Sequence, residues 1–381
     1  MMPSNKRIIK AAAGTGKTTL LIGEAVKNYQ EGKVLYLTYT NANLNSMKSD
    51  LMESVGIIPT NIKCKTWTEF LLNECARPYR KIMGGPEIEG VNFCSLGEIP
   101  RLKGITATNW RYYYDLQGRL YYQRLAQFCY VILEASARAV IDRLEKIYST
   151  ILIDEIQDMG GYDLKIIEAI YQSNLNLVVV GDHRQATYST NSSSYLGRYS
   201  GVNIFSFFTE VLRHDNLENL EVCHRCPQIV CNLANTLYSD LNMRSAKSVV
   251  HEDIGTYLVS MDNVSKFIEQ YKPTLLYYNV SSLNKFISKL DGDINFESIT
   301  FGKSKGLSYE NVLILPTKEM ENHITKGKHK MSDTVIAQFY VAITRSKNNV
   351  AILTEKSSVF DFLRTWTIIP HRKRLQAINR Y

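Results

Sequence analysis

Short apolar runs alternate with amphipathic helical stretches along most of the chain, and this alternation restricts the possible folds more than any other feature. Strands that are apolar throughout are typical of parallel sheets covered by helices on both faces. Between the runs, Leu44, Met47 and Leu51 recur at the spacing of one helix face. The pattern predicts an α/β fold built on parallel sheets. The clearest runs are residues 8–12, 34–38, 151–153, 175–180, 274–278, 312–315 and 350–353.

The length of the chain indicates more than one folded core. With 381 residues, it exceeds what a single hydrophobic core usually serves, so two cores and an insertion are expected. Residues 73–145 interrupt the alternation, first with Gly84, Gly85 and Pro86 and then with a helical, aromatic stretch. We interpret 73–145 as an insertion in the first core.

The composition is that of an ordinary globular protein. Apolar residues make up 45% of the chain and charged residues 22%. No apolar run approaches the roughly 18 residues that span a bilayer, and the first ten residues lack the apolar stretch of a signal peptide. We therefore predict a cytoplasmic protein that makes no use of a membrane.

The seven cysteines indicate reduced thiols, because their number is odd and their spacing does not repeat. Cys223, Cys226 and Cys231 form a close group, for which a zinc site is one alternative. No second Cys or His pair at a suitable spacing completes four ligands. This favours the other alternative, in which these small residues pack at a strand end and on the next helix.

The net charge of +8 suits a polyanionic partner without requiring one. Tyrosines and arginines are neighbours in the segments WRYYY (110–114) and RLYYQR (119–124). Aromatic faces with interleaved cations stack bases and hold phosphates. A half-buried helix with tyrosines at its rim has the same pattern. The sequence leaves both interpretations open.

The segment AAAGTGKTT (11–19) follows an apolar run and opens a helical one, which is the context of a phosphate-binding loop. Small residues let the backbone approach the phosphates, so that its N–H groups and the helix N-terminus face the anion. We predict that Lys17 binds the β- and γ-phosphates of ATP and that Thr18 is a ligand of Mg²⁺. The other predicted nucleotide-binding residues of the loop are Ala13, Gly14, Thr15, Gly16 and Thr19.

A pair of carboxylates ends the apolar run at residues 151–153. Open α/β sheets bind their ligands at the carboxyl ends of the strands. We expect Asp154 to hold Mg²⁺ through water and Glu155 to polarise the attacking water. The pair therefore predicts hydrolysis of ATP rather than binding alone.

Further segments resemble the motifs of the UvrD/Rep-type branch of superfamily 1 helicases, in the order in which that family carries them. After the Gly-rich segment they are LTYTN (37–41), TWTEF (66–70), DEIQD (154–158), VGDHRQATY (180–188), CHRCP (223–227), KSKGL (303–307) and YVAITRSK (340–347). The resemblance covers nearly the whole chain. Each short match is weak, but the ordered set is highly specific.

The resemblance implies roles for residues that the chemistry alone does not assign. Gln185 senses the γ-phosphate, Arg225 and Arg345 are arginine fingers, and His224 and Gly306 contribute to the nucleotide site. His224 stands where relatives have a tyrosine that stacks on adenine, and Thr190 stands where many have a base-stacking tryptophan. The residues that the resemblance assigns to nucleic acid are Tyr39, Asn41, Thr66, Trp67 and Tyr188.

The resemblance also implies two RecA-like cores that hydrolyse Mg-ATP between them. We assign residues 1–72 and 146–212 to the first core and residues 213–381 to the second. The implied function is an ATP-dependent translocase or helicase on single-stranded nucleic acid, with DNA favoured over RNA. The second insertion domain of larger relatives has no room here, because a helix running to about Leu290 is followed by a strand from near Phe296.

Two other functions are compatible with parts of the sequence. A nucleic-acid-gated ATPase switch, working with a nuclease or another protein partner and without processive unwinding, needs the same motifs. A metabolite kinase with a phosphate-binding loop needs only one core and leaves Arg225 and Arg345 unexplained. The helicase or translocase interpretation is therefore favoured, and the switch is the alternative to it.

Overall fold

The computed structural model describes residues 5–186, 195–247, 254–290, 292, 294–327 and 330–367. The chain divides into two compact units, of which the first comprises Met1–Ala11 and Gly16–Leu220 and the second comprises Ala12–Thr15 and Glu221–Tyr381. Each unit has its own six-stranded sheet. Within the described ranges, every helix is too short or too polar to cross a bilayer.

The first unit is an α/β layer structure. Its strands are β1 (Lys6–Ala11), β2 (Val34–Thr38), β3 (Ile62–Thr66), β4 (Gly90–Asn92), β5 (Arg119–Tyr121), β6 (Thr150–Ile153), β7 (Asn176–Gly181) and β8 (Leu217–Leu220). Its α-helices are α1 (Lys17–Asn28), α2 (Asn41–Val55), α3 (Trp67–Phe70), α4 (Tyr122–Ala135), α5 (Ala139–Ile147), α6 (Tyr162–Tyr171) and α7 (Ile204–Ser206).

The main sheet of this unit is entirely parallel, in the order β3-β2-β6-β7-β1-β8. The central strands β2 and β6 are buried along their whole length, which explains why they lack polar alternation. One face of the sheet packs on α1 and α2, through residues such as Leu21, Leu44 and Met47. Because all strands point the same way, the residues that follow β1, β6 and β7 lie at one edge of the sheet.

The longer helices of the predicted insertion lie at its two ends. After α3 the chain continues as a π-helix (Leu71–Ala76) and a 3-10 helix (Arg77–Met83), and it ends in α4 and α5. Its middle part contains the short parallel pair of β4 and β5 and two 3-10 helices of three residues each, Leu96–Glu98 and Trp110–Tyr112. Buried residues of α4 and α5 join the core on the face of the sheet opposite α1 and α2.

The second unit repeats this architecture. Its strands are β9 (Val222–Cys223), β10 (Arg244–Ser245), β11 (Thr256–Val259), β12 (Thr274–Tyr277), β13 (Ser298–Thr300), β14 (Tyr309–Ile314), β15 (Ser346–Leu353) and β16 (Leu363–Thr365). Its helices are α8 (Gln228–Asn235), α9 (Met261–Tyr271), α10 (Val280–Ile287), α11 (Lys318–Lys326) and α12 (Asp333–Ile343). The six-stranded sheet is parallel, in the order β13-β12-β14-β15-β11-β16.

The two large sheets have the same strand order. With the short pairs β4–β5 and β9–β10 left out, the strands of each unit follow the order 3-2-4-5-1-6. The predicted fold class, two parallel α/β cores, is confirmed. Each apolar run predicted as a strand lies on a strand of the structure, with ends that differ by at most four residues. The predicted helix around Leu44, Met47 and Leu51 is α2, which buries those three residues.

The strands that the apolar runs do not reveal are mainly edge strands. β3, β8 and β16 each lie at an edge of a six-stranded sheet and have polar residues along their length. An edge strand has one neighbour and is less buried, so its sequence need not be apolar throughout. Within the two six-stranded sheets the exception is β11, an inner strand that is buried but only four residues long.

A buried carboxylate, Glu74, joins three parts of the first unit. It forms ion pairs with Lys65 at the end of β3 and with Arg143 on α5, the latter at 2.8 Å, and it accepts a hydrogen bond of 3.2 Å from Tyr148 Oη. Burial raises the pKa of Glu74. The hydrogen bonds from Lys65 and Arg143 lower it by more, so the pKa of Glu74 lies below its ordinary value.

We expect Glu74→Ala to lower the free energy of unfolding by about 2 to 3 kcal/mol, because it leaves two cations without their partner. The loss stays below that of a fully buried pair, since Lys65 and Arg143 are partly exposed. Urea unfolding measures the change, with Glu53→Ala on the exposed side of α2 as the control. Equal stability of the two variants would contradict a structural role for Glu74.

Candidate active site

The N-terminus of α1 is built to receive an anion. α1 begins at Lys17, directly after the Gly-rich segment, and Gly16 precedes it with a φ of 81°. No side chain caps the helix, and its first turn contains no acidic residue. The first N–H groups of a helix lack internal partners and carry its positive dipole end, so this terminus fits a phosphate group.

The corresponding strand of the second unit is not followed by such a loop. β11 holds the same place in its sheet as β1, but Ser260 and helix α9 follow it directly. Asp262 lies in the first turn of α9. A carboxylate in that position repels an anion. The phosphate-binding segment is therefore a feature of residues 11–19 and has no counterpart after β11.

Gly14 is the more crowded of the two loop glycines, Gly14 and Gly16, when a Cβ atom is added. Its φ is 71°, and a Cβ atom there would lie 2.8 Å from both Arg225 Cβ and Cys223 Sγ. Its carbonyl accepts a hydrogen bond of 2.9 Å from the N–H of His224. The N–H of Ala13 donates to Tyr340 Oη at 2.9 Å. These contacts lie within the second unit, to which Ala12–Thr15 belong, and they explain why glycine is required at position 14.

The carboxylate of Asp154 is buried at the end of β6. It accepts hydrogen bonds from Tyr36 Oη at 3.0 Å and from the N–H of Glu155 at 2.8 Å. Burial raises the pKa of Asp154 to about 7; the Glu155 carboxylate adds to this rise, and the Lys17 ammonium opposes it. The start of α1 and the end of β6 lie at the same edge of the sheet, because β1 and β6 are parallel strands of it.

The residues at this edge fit a hard divalent cation. Mg²⁺ prefers oxygen ligands and commonly takes one or two carboxylates together with phosphate oxygens. The Asp154 carboxylate and the Thr18 hydroxyl are oxygen donors of this kind. A cation would also offset the cost of keeping Asp154 ionised while buried.

Hydrogen bonds join the acidic pair to the end of β7. Gln157 donates to the carboxylate of Glu155 and accepts a 3.0 Å bond from the N–H of Asp182. Gln185 Nε2 in turn donates to Asp182 Oδ2 at 2.9 Å. Glu155 itself has a φ of 55°, a conformation that L-residues adopt at a cost and that is frequent at functional sites. The predicted γ-phosphate sensor is thus connected to the predicted catalytic carboxylate.

The two predicted arginine fingers meet in the second unit. Arg225 Nη1 donates to the carbonyl of Thr344 at 3.0 Å, and Arg345 Nη2 donates to Thr344 Oγ1 at 3.4 Å. Arg345 is only 1% exposed and also donates to the carbonyl of Leu307 at 3.2 Å. Gly306, next to Leu307, has a φ of 85°. The segments CHRCP, KSKGL and YVAITRSK are therefore in contact.

The CHRCP segment separates its polar and its sulfur side chains. His224 is exposed and Arg225 is half-buried. Cys223 and Cys226 are fully buried, and Cys231 of α8 lies in the same core. All seven cysteines are free thiols. Among the described residues, no group of three or more Cys, His, Asp or Glu side chains is arranged to hold a metal ion.

The predicted nucleic-acid contacts differ in their exposure. Tyr39 is half-buried, and its hydroxyl is hydrogen-bonded to that of Tyr122 on α4. Asn41 is exposed at the first position of α2. Thr66 caps α3 with its hydroxyl, and Trp67 is 2% exposed with Nε1 donating to Asp163 Oδ1 at 2.7 Å. Tyr188, like Thr190, lies outside the described residues.

A small cavity connects these residues to α4. Its volume is about 30 Å³, which is room for roughly one water molecule. Tyr39, Trp67 and Thr68 line one part of it, and Tyr122 and Gln123 line another. Part of the wall therefore comes from the insertion.

Three residues at these sites were not predicted to take part in them. Tyr36 contacts Asp154 from the neighbouring strand, Gln157 joins Glu155 to Asp182, and Thr344 receives both arginines. Gln157 and Thr344 lie in the recognised segments, which is a signal that sequence reasoning had at hand. Tyr36 is found only once β2 is known to pair with β6.

Comparisons with known proteins agree with this geometry. A family model described as an AAA domain matches residues 1–191, and one described as a viral superfamily 1 RNA helicase core domain matches residues 136–354. The RecBCD enzyme subunit RecB of Buchnera aphidicola subsp. Baizongia pistaciae (strain Bp) is 28% identical over 120 residues, or 32% of this chain. The chain spans only 9% of the length of that relative.

A solved structure of arterivirus nonstructural protein 10, a helicase, in complex with DNA is also similar. The match covers 92% of this chain and 61% of the other, at 14% identity and a TM-score of 0.46.

Two parallel α/β cores, a phosphate-binding loop and an acidic pair at the carboxyl edge of the sheet define a P-loop nucleotide-hydrolysing protein. The two family models each match half of the chain or more. The chain belongs to the superfamily 1 helicases, which use ATP to act on nucleic acid.

Gly14→Ala is expected to weaken ATP binding by about tenfold or more, because Ala pays about 1 to 2 kcal/mol in a left-handed conformation and its methyl group meets Arg225 and Cys223. Gly23→Ala in α1 is the control, since a Cβ there meets nothing within 4 Å and Ala favours a helix by about 0.5 to 1 kcal/mol. Titration with a fluorescent ATP analogue measures both. Equal affinities would contradict the close packing at Gly14.

Proposed function

We propose that this protein is a UvrD/Rep-type translocase or helicase that hydrolyses Mg-ATP while it moves along single-stranded nucleic acid, with DNA favoured over RNA. One observation carries the proposal. The start of α1 at Lys17 and the acidic pair after β6 lie at the same edge of one parallel sheet, which supports a single site for the phosphates and the acidic pair. Such a site hydrolyses nucleotide rather than merely holding it.

The residues around α1 bind the nucleotide. The N–H groups of Ala13, Gly14, Thr15, Gly16 and Thr19 face the phosphates, and Lys17 neutralises their charge. Thr18 and Asp154 would hold Mg²⁺, which when bound would supply positive charge to the phosphate oxygens. Glu155 orients and polarises the attacking water, and the bond from Gln157 keeps its carboxylate in place.

Gln185, Arg225 and Arg345 respond to the γ-phosphate in this proposal. A planar guanidinium binds the charge that spreads over the transferred phosphoryl group. Contact with the backbone of Thr344 orients Arg225. His224 stacks on the adenine, for which its exposed ring is suited, and Gly306 lets the backbone of its segment approach the nucleotide.

Tyr39, Asn41, Thr66, Trp67 and Tyr188 make up the strand-binding region in this proposal, in contact with the strand or in support of the residues that contact it. Tyr39 stacks on a base, and Asn41 is exposed at the start of α2 to meet a phosphate. Thr66 and Trp67 are buried, so they act by holding the end of β3 and the cavity wall beside Tyr39. Tyr188 adds a second stacking ring.

A switch that works with a nuclease or another protein partner is the second candidate, and one observation favours it. α10 ends at Ile287 and β13 begins at Ser298. The short connection between them cannot fold as a domain, and it stands where larger relatives carry their second insertion domain. We infer that the chain unwinds long duplexes weakly unless a partner supplies the missing surface.

Lys17→Ala and Glu155→Gln are expected to separate binding from hydrolysis. Lys17→Ala removes the cation on the phosphates and abolishes turnover. Glu155→Gln keeps the shape of the side chain and the phosphate site, so it binds Mg-ATP near the wild-type affinity but hydrolyses it poorly. Nucleotide titration and a phosphate-release assay measure the two effects. Loss of binding in both variants would contradict the role of Glu155.

Arg225→Ala is expected to lower kcat by about 10³-fold or more, as for arginine fingers in other ATPases, with ATP affinity much less changed. Arg345→Ala is expected to lower kcat similarly, but it also removes buried hydrogen bonds and should reduce stability. Arg225 therefore gives the cleaner test. Steady-state ATPase assays measure kcat, and unchanged turnover in Arg225→Ala would refute its role.

Displacement of a bound obstacle tests the proposed function itself. The purified chain and ATP are added to single-stranded DNA, and separately to RNA, that carries streptavidin at one end. A tailed duplex of about 40 base pairs is assayed in parallel. Displacement with weak unwinding supports the proposal, and ATP turnover on the strand without displacement supports the switch. Glu155→Gln is the control for dependence on hydrolysis.

A further inference from the structure

Phe93 is a large aromatic residue in an exposed position on the insertion. It is 71% exposed, directly after β4. Its backbone is held in place, since the N–H of Cys94 donates to Asn92 Oδ1 at 3.1 Å and Asn92 Nδ2 donates to Asp115 Oδ2 at 2.8 Å. The core of the first unit makes little use of this ring, so most of its surface is accessible to a ligand.

The ring of Phe93 stacks on that of Tyr122. Their centroids are 5.1 Å apart and the planes are inclined by 29°. Tyr122 is the first residue of α4, and its hydroxyl is hydrogen-bonded to that of Tyr39. The three rings therefore form a row that runs from the end of β2 to the surface of the insertion.

The segment that leads to Tyr122 is basic, although Glu89 and Glu98 flank Phe93 itself. Residues 99–124 contain five basic side chains and a single acidic one, Asp115. Asp115 is already paired with Arg119 at 2.7 Å. Arg124 lies on α4, two residues after Tyr122, and its guanidinium is 3.7 Å from the ring centre of Tyr112. Stacking rings combined with cations suit a ligand that has flat bases and phosphates.

We propose that Phe93 and Tyr122 form a base-stacking site for single-stranded nucleic acid that continues the contact made by Tyr39. This inference rests on the proposed function and extends it to the insertion. One base stacks on Tyr39 and another on the exposed face of Phe93, which Tyr122 supports from its other face, while basic side chains of residues 99–124 bind the phosphates. Tyr122 supports the ring of Phe93 by stacking, and this support does not need its hydroxyl.

Binding of labelled oligo(dT) of about 8, 16 and 24 nucleotides tests this site, with fluorescence anisotropy at fixed salt. We expect Phe93→Ala to weaken binding of the longer oligonucleotides about 5-fold to 100-fold, the range of one stacked base. Phe93→Trp keeps a ring and should retain the affinity. Leu116→Ala removes a fully exposed apolar side chain of the same segment and should bind like the wild type, as the matched control.

Two variants of Tyr122 distinguish the role of its ring from that of its hydroxyl. Tyr122→Phe keeps the ring and should bind within about twofold of the wild type, whereas Tyr122→Ala should lose affinity as Phe93→Ala does. ATPase activity without nucleic acid should be unchanged in all of these variants, which reports that each one folds. Ultraviolet crosslinking of oligonucleotides that contain 5-iodouracil should modify the peptides carrying Phe93 and Tyr122.

Several results would overturn the site. The first is that the Phe93→Ala variant binds the oligonucleotide as tightly as the Leu116→Ala control. The second is that Phe93→Leu binds it as tightly as Phe93→Trp, because this would indicate an apolar contact, such as a protein-docking surface, rather than base stacking. If Tyr39→Ala loses affinity while the Phe93 and Tyr122 variants keep it, the site fails and the proposed function stands. A wild-type protein that binds no oligonucleotide overturns both.

Discussion

The burial of the Asp154 carboxylate at the end of β6 is the constraint on which the candidate site depends. A buried carboxylate is costly unless hydrogen bonds and positive charge compensate it. Tyr36 and the N–H of Glu155 provide two hydrogen bonds, and Lys17 provides part of the charge. The rest of the compensation is what a bound cation and its phosphate ligand would supply. Gln157 extends this network from Glu155 to the end of β7.

The shared strand order of the two units shows how one fold serves different tasks. Both sheets follow the order 3-2-4-5-1-6, but only the first unit's strand β1 leads into a phosphate-binding segment. In the second unit, the core is used to hold Arg225 and Arg345 around Thr344. The fold therefore repeats, while the chemistry is set by the residues that follow each strand.

The sequence predicted the central strands well, because buried parallel strands must be apolar along their whole length. It did not predict edge strands such as β3, whose lysines are tolerated by exposure on one side. Recognised segments identified Asp154 and Arg345, but not that Arg345 is 1% exposed and held by backbone carbonyls. Tyr36 and the row from Tyr39 to Phe93 depend on contacts between residues far apart in sequence. Residue spacing alone contains no information on such contacts.

The central claim is that hydrolysis at the Asp154 site is coupled to the binding of a single strand. The most direct test is the steady-state ATPase rate of the purified chain as the concentration of single-stranded oligonucleotide is raised, with DNA and RNA in separate series. The account predicts a saturable increase in kcat that is absent in Glu155→Gln. An ATPase rate that is the same with and without either nucleic acid, at concentrations where the strand is bound, would contradict it.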